Sequence, residues 1–321
     1  MPPQDAASPD QPFLTLRDPD ALPAALSRPV IAIGNFDGLH LGHKRVLRQT
    51  LDLARRLGRP AILLTFEPHP QAFFRPGIPF FRLTPGAARA ELLGRLGLNG
   101  MVEISFDAAL AATTAGDFIE AILCQRLGAS GIVTGQDFHF GQGREGSPEF
   151  LMAAGARHGF VVEVVAPLEQ EGRQISSTAI RAALARGDAE RANAALGHDW
   201  FVRGKVLHGQ KLGRTLGFPT ANLRLPEECG LAHGIYAARA CIDGKWRDGV
   251  ASFGRRPTFD NGAPLLEMFV FDFSGDLYGK TIDIAFAPWI RGEAKFASAD
   301  ALASQMKQDC ADARADRKSV V

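Results

Sequence analysis

Two histidines, His40 and His43, flank Gly42 in the stretch VIAIGNFDGLHLGHKRVLRQTLDLARRLG, which runs from Val30 to Gly58. Their spacing suits metal ligation, acid–base work, a clamp on a nucleotide, or ordinary places in a helix. Zinc would need a third and usually a fourth ligand. His69 in FEPHP is the candidate third, but no cysteine or carboxylate spacing supports the set. Location favours phosphate instead. VIAIG has the look of a buried strand, and LGHKRVLRQTLDLARRLG of a helix with Val46, Leu47, Leu51, Ala54 and Leu57 on its inner stripe. Between them GNFDG is a tight turn, with Gly34 and Gly38 free to take positive φ. The histidines thus fall in the first turn of a helix, where unpaired N–H groups and the positive helix end attract anions. Gly42 leaves room for a base or sugar against the backbone.

Three other groups carry chemical potential. Ser176, Ser177 and Thr178 open a second helical pattern, and Arg173 and Arg181 add charges suited to phosphate oxygens. An ordinary N-cap with surface arginines would look the same. Gly209, Gly213 and Gly217 precede Pro219-Thr220-Ala221-Asn222 in a run that lacks the GxxxxGK[ST] pattern, so it is no Walker-type loop. Glu267 lies inside the apolar run LLEMF, where a structural carboxylate would need a buried partner.

These residues need elements to hold them. From Val30 to about Gly197, short apolar runs (VIAIG, AILLTF, MVEISF, GIVTG, FVVEVVAP) alternate with helical patterns at 44–57, 85–96, 115–127 and 148–158. Such alternation predicts a parallel sheet with right-handed crossovers, and ligands at the carboxyl ends of its strands. An Ala/Arg-rich helical stretch, 179–196, follows. Five β runs then come without intervening helices (FVRGKVL, GIYAARACI, KWRDGVASFG, PLLEMFVFDF and KTIDIAFAPWI). They predict a small antiparallel barrel. A last helix, 299–315, carries Leu302, Met306 and Cys310 on one face. The rhythm changes near Gly197–Asp199, which divides the chain into domains 13–197 and 198–321 after a disordered tail, 1–12.

The totals narrow the partners. A chain of 321 residues, 46% hydrophobic, suffices for two packed cores. With 36 Lys and Arg against 35 Asp and Glu, no basic excess suggests a nucleic-acid track. MPPQDAASPDQP has neither the basic nor the apolar region of a signal peptide. No apolar run has the length of a membrane span. Four scattered cysteines, Cys124, Cys229, Cys241 and Cys310, fit a reducing compartment. The expectation is a cytoplasmic, monomeric or weakly self-associating protein with neither nucleic acid nor membrane as partner.

Taken together, the motifs resemble known families. GNFDGLHLGH resembles the HxGH signature of nucleotidyltransferases, and its Gly-x-Phe-Asp-Gly lead-in is similar to the bacterial FAD synthetase branch. LTFEPHP (64–70), GQDFHFGQGREG (135–146) and RQISSTAIRAALARGD (173–188) agree in order. The resemblance implies a Rossmann-like FMN adenylyltransferase domain in which the phosphate of FMN attacks the α-phosphorus of ATP. His40 and His43 would act on the triphosphate, with Gly34, Phe36, Asp37, Gly42, Arg173, Ser176, Ser177, Thr178 and Arg181 around the nucleotide. Asp137 and Phe138 would hold flavin or nucleotide, although Phe138 could equally be core.

The second half is similar to riboflavin kinase through GRTLGFPTAN, GIYAA (234–238), GVASFGRRPTF (249–259), LLEMFVFDF (265–273) and RGEAKF (291–296). This implies that Gly209, Gly213, Thr220 and Asn222 bind the nucleotide, that Thr220 and Asn222 hold Mg²⁺, and that Glu267 deprotonates riboflavin. Asp272 is the rival base. Arg291, Glu293 and Phe296 would form a flap over the flavin ring, and Phe253 and two following arginines stand where smaller or polar residues are usual. The whole then resembles a bifunctional enzyme making FMN from riboflavin, and FAD from FMN, with ATP at both steps. Two alternatives stay open: an adenylyltransferase for another phosphate acceptor, and a non-catalytic flavin-sensing or RNA-binding protein.

Overall fold

The computed structural model describes residues 12–84, 86–208, 217–255 and 264–318. Gly209 and Gly213, expected in the kinase nucleotide loop, lie outside them. Packing divides the chain into two compact units, one of residues 1–80 and 86–175, the other of residues 81–85 and 176–321.

The first unit is built on six parallel strands: β1 (Leu14–Arg17), β2 (Val30–Ile33), β3 (Ala61–Glu67), β4 (Gly100–Ser105), β5 (Gly131–Gly135) and β6 (Val161–Val165). Their order is β1-β4-β3-β2-β5-β6. The central strands β2 and β3 are buried on both faces, as a parallel sheet covered by helices requires. Ile31 and Ile33 enter one apolar layer, and Val30 and Ala32 the other. The helices are α1 (Leu41–Leu57), α2 (Pro70–Phe74), α3 (Gly86–Arg95), α4 (Ala108–Ala111), α5 (Ala115–Asp117) and α6 (Pro148–His158). The pattern at 115–127 predicts one α-helix, yet after α5 the chain widens into a π-helix, Phe118–Arg126. Phe118, Ile119, Ile122 and Leu123 are the residues it buries. A hairpin of β7 (Glu169–Gln170) and β8 (Arg173–Gln174) ends the unit.

The second unit begins with α7 (Ser177–Leu184) and α8 (Ala189–Leu196), which split the helical stretch at Gly187, where φ is 80°. Both helices pack on the barrel. Leu184 and Leu196 join its apolar cluster, and the Asn193 side-chain amide donates to the Phe286 carbonyl at 2.8 Å. This contact explains why the packing boundary falls at Ile175/Ser176, before the change of sequence rhythm at 197.

The barrel strands are β9 (Phe201–Lys205), β10 (Thr220–Arg224), β11 (Gly234–Ile242), β12 (Lys245–Arg255), β13 (Pro264–Val270) and β14 (Thr281–Arg291), all antiparallel, in the order β10-β13-β12-β11-β14-β9. The Leu207 N–H donates to the Asn222 carbonyl at 2.8 Å and so nearly closes the sheet. Asp243 and Gly244 take positive φ at the β11–β12 turn, the backbone that a two-residue hairpin prefers. The terminal helix α9 (Ala299–Lys318) crosses the outside of the barrel, where Ala313 meets Ala237, Phe271 and Ala287. Leu302, Met306 and Cys310 are half-buried as patterned, but Asp309 and Ala313 lie deepest.

Candidate active sites

In the first unit the β2–α1 connection is wound tightly. Gly34 and Gly38 take positive φ, and so do Phe36 (48°) and Leu39 (46°), two side chains that rarely adopt it. His40 is not in the first helical turn, as the pattern suggests. It is the N-cap, with extended backbone, and its Nδ1 accepts the His43 N–H at 3.2 Å. In the neutral ring the proton must then sit on Nε2. His43, inside the first turn, stacks on His40 with centroids 3.5 Å apart and meets the Phe36 ring at a tilt, centroids 4.8 Å apart. The Nδ1 of His43 is buried without a hydrogen-bond partner. Burial pushes His40 down to about 4, against the pull of the Asp37 carboxylate. Burial, and then His40 itself, hold His43 well below its ordinary value. A side chain at position 42 would meet the His40 ring at 3.2 Å, so Gly42 is what lets the rings approach.

Other expected residues are placed differently. His69, the possible third zinc ligand, caps α2 by accepting the Gln71 N–H and stacks on Phe80. Among the described residues no group of three or more His, Cys, Asp or Glu could hold a metal ion. Asp137 is exposed in the turn after β5, and Phe138 packs against Phe140 at the edge of an apolar cluster. Arg173 is exposed on β8, and the Ile175 carbonyl would lie 3.9 Å from a side chain at position 42. Ser176, Ser177, Thr178 and Arg181 belong to the second unit. There the Ser176 hydroxyl caps α7 through the Ala179 N–H, and Arg181 Nε donates to the Phe81 carbonyl at 2.6 Å.

On the barrel, strand register assembles what sequence distance conceals. Asn222 on β10 lies opposite Glu267 on β13, and Glu267 lies opposite Ser252 on β12. Their chain neighbours Ala221, Leu223, Leu266, Met268, Ala251 and Phe253 all enter the barrel core. Alternation therefore puts Thr220, Asn222, Glu267 and Ser252 on the outer face. Asn222 is buried, and its Nδ2 donates to the Thr220 carbonyl at 3.3 Å, which leaves Oδ1 as an acceptor. Ser252 was not singled out in the sequence, because nothing local marks it. Asp272, the rival base, lies past the end of β13 and pairs with Arg314. Phe253 points into the core, away from any flavin on this face.

The segment after β14 is held by charge. Arg291 Nε and Nη2 donate to the two oxygens of Asp309 at 2.7 and 2.6 Å, while Nη1 donates to the Gly292 carbonyl. The guanidinium also covers the Phe296 ring at 5.7 Å. Glu293 sits against Gly254, and its carboxylate approaches His233 Nδ1 at 3.6 Å.

Two family models match the chain in series, FAD synthetase over residues 22–179 and riboflavin kinase over residues 196–316. A bifunctional riboflavin kinase/FMN adenylyltransferase of Pseudomonas fluorescens is 40% identical over 89% of this chain and 92% of its own length. Its namesake from Haemophilus influenzae is 39% identical, over 89% and 93%. The chain belongs to the bifunctional riboflavin kinase/FMN adenylyltransferase family. This chain is also similar in fold to a solved Streptococcus pneumoniae structure named as a macrolide-efflux protein, with TM-score 0.83 and 33% identity over 92% of this chain and 97% of that chain. Among the described residues no helix is long and apolar enough to cross a membrane.

Proposed function

We propose that the chain phosphorylates riboflavin to FMN on the barrel and adenylylates FMN to FAD on the parallel-sheet unit, consuming ATP at each step. The observation that supports this reading is that each family match spans one assembled group of residues, the stacked histidines at the start of α1 and the Asn222–Glu267–Ser252 row, in separate compact units.

In adenylyl transfer an FMN phosphate oxygen bonds to the α-phosphorus of ATP as the bond to pyrophosphate breaks. No protein nucleophile takes part, so positioning and charge stabilisation carry the rate. His40 can donate only through Nε2, since its Nδ1 holds the His43 N–H. His43 offers a buried ring with an unmatched nitrogen and free N–H groups of the first helical turn beside it. Arg173 would serve the departing pyrophosphate, whereas Ser176 and Arg181 shape α7 through the bonds described above.

In the kinase reaction Glu267 takes the proton of the riboflavin 5′-hydroxyl as that oxygen attacks the γ-phosphorus. The oxygen donors of Thr220 and Asn222 on the same face fit a hard cation. Mg²⁺ held there would neutralise charge on the ATP phosphates. Arg291, whose guanidinium nitrogens already bond Asp309 and Gly292, would shape the flavin flap rather than hydrogen-bond the flavin. Reliance on ATP fits the cytoplasmic setting expected from the scattered cysteines.

The deciding experiment incubates the pure protein with riboflavin, ATP and Mg²⁺ and separates the flavins over time. FMN should appear first and FAD after it. Conversion of pantetheine phosphate with no conversion of FMN would overturn the adenylyltransferase assignment. Flavin binding without turnover would overturn both.

A further inference from the structure

Arg89, on α3, is among the largest fully buried side chains of the protein, only 1% exposed. A charge so deep is costly unless matched, and an apolar side chain of similar volume would fill the place more cheaply. Its partners show what the guanidinium does there. Nη2 donates to Glu103 Oε1 on β4 at 2.5 Å and lies 3.9 Å from Glu67 Oε2 at the end of β3. Nη1 donates to the backbone carbonyl of Asn35 at 3.4 Å, and the Thr65 hydroxyl donates to the same carbonyl at 3.3 Å.

Asn35 immediately precedes the strained part of the β2–α1 turn. Phe36 and Leu39 hold positive φ there, a conformation that survives only where surrounding contacts over-determine it. The Phe36 ring in turn forms one wall of His43. We propose that Arg89 is a positioning residue for adenylyl transfer, fixing through the Asn35 carbonyl the turn that sets His40 and His43. Through Glu67 the same guanidinium ties the start of the FEPHP segment to that post. Arg89 touches no substrate. The proposal rests on the adenylyltransferase reading of this unit.

The test measures FMN adenylylation, riboflavin phosphorylation and thermal unfolding on the full chain and on Arg89→Met, Arg89→Lys and Thr65→Val. Arg89→Met should lower kcat for FAD formation at least tenfold while leaving the KM for FMN within about twofold. Arg89→Lys should restore part of that loss, and Thr65→Val should show a smaller fall in the same parameter. Riboflavin phosphorylation should not change. Wild-type kcat in both Arg89→Met and Thr65→Val, below their melting temperatures, would overturn the proposal. So would a loss in Arg89→Met that lysine does not recover, with Thr65→Val unaffected, because that pattern marks packing alone. If Arg89→Met does not fold, an unchanged kcat in Thr65→Val decides against it. A wild-type chain unable to make FAD would instead overturn the proposed function itself.

Discussion

The imidazole of His40 lies on that of His43, ring planes 15° apart, a pairing that two imidazolium ions would not tolerate. Both rings are held neutral, His40 with a pKa near 4 because it is buried. The unfolded chain binds protons at these histidines near pH 6.5, more readily than the folded one. Stability from the pair is thus fully present above about pH 6.5 and is lost as pH falls from there, for His40 through about 4. Thermal unfolding of the first unit should show this slope. His40→Asn keeps an oxygen to accept the His43 N–H and removes the His40 share of the titration, so it should lessen the slope. An identical slope in that variant would refute the account.

In the proposed adenylyl transfer, ATP would bring phosphate charge to the same rings. On the proposed role of His43, His43→Ala removes one donor to the developing charge, and about 10²–10³ in kcat for FAD formation should go with it. FMN should accumulate in a coupled assay that starts from riboflavin. Loss of both activities in a folded His43→Ala chain would mean that the two sites are coupled.

What the sequence discloses here follows from range. The hinge was legible because strand, turn, cap and helix lie within a few consecutive residues, and each leaves a local mark. Only the exact role of His40, a cap rather than a helical residue, needed coordinates. Strands β1 and β10 were not foreseen, since LTLR and TANLR are too short to carry a period, and glycines dominate the run before Thr220. The Asn222–Glu267–Ser252 row depends on strand register, which no spacing along the chain encodes. Arg89 and Asp309 were passed over for a related reason. A charged residue in a helix is usually solvated, and only tertiary packing turns these two inward.

Glu267→Gln separates the activities from the other side. It keeps the shape of the side chain beside Asn222 and removes the proposed base, so FMN formation should fall about 10²–10⁴-fold. FMN supplied from outside should still become FAD at the wild-type rate. Chromatography of the two flavins distinguishes these outcomes, and retained FMN formation would move the base elsewhere on the face.

Asp309 links the terminal helix to the segment after β14 by two hydrogen bonds from one guanidinium, and Gln305 one turn earlier donates to it as well. Asp309→Asn keeps the volume and one acceptor but cancels the charge, leaving Arg291 partly unmatched in a largely enclosed place. Breaking a charged hydrogen bond of this kind costs about 1.5–3 kcal/mol, so the second unit should melt earlier. If the flap covers the flavin, the effect on catalysis has a direction. The loosened Arg291–Phe296 segment should raise the dissociation constant for riboflavin, read from quenching of its fluorescence, more than it raises the KM for ATP. Arg291→Lys should weaken riboflavin in the same sense, because a single ammonium cannot span both Asp309 oxygens. Equal weakening of riboflavin and ATP in Asp309→Asn would assign the pair to the stability of the barrel and not to the flap.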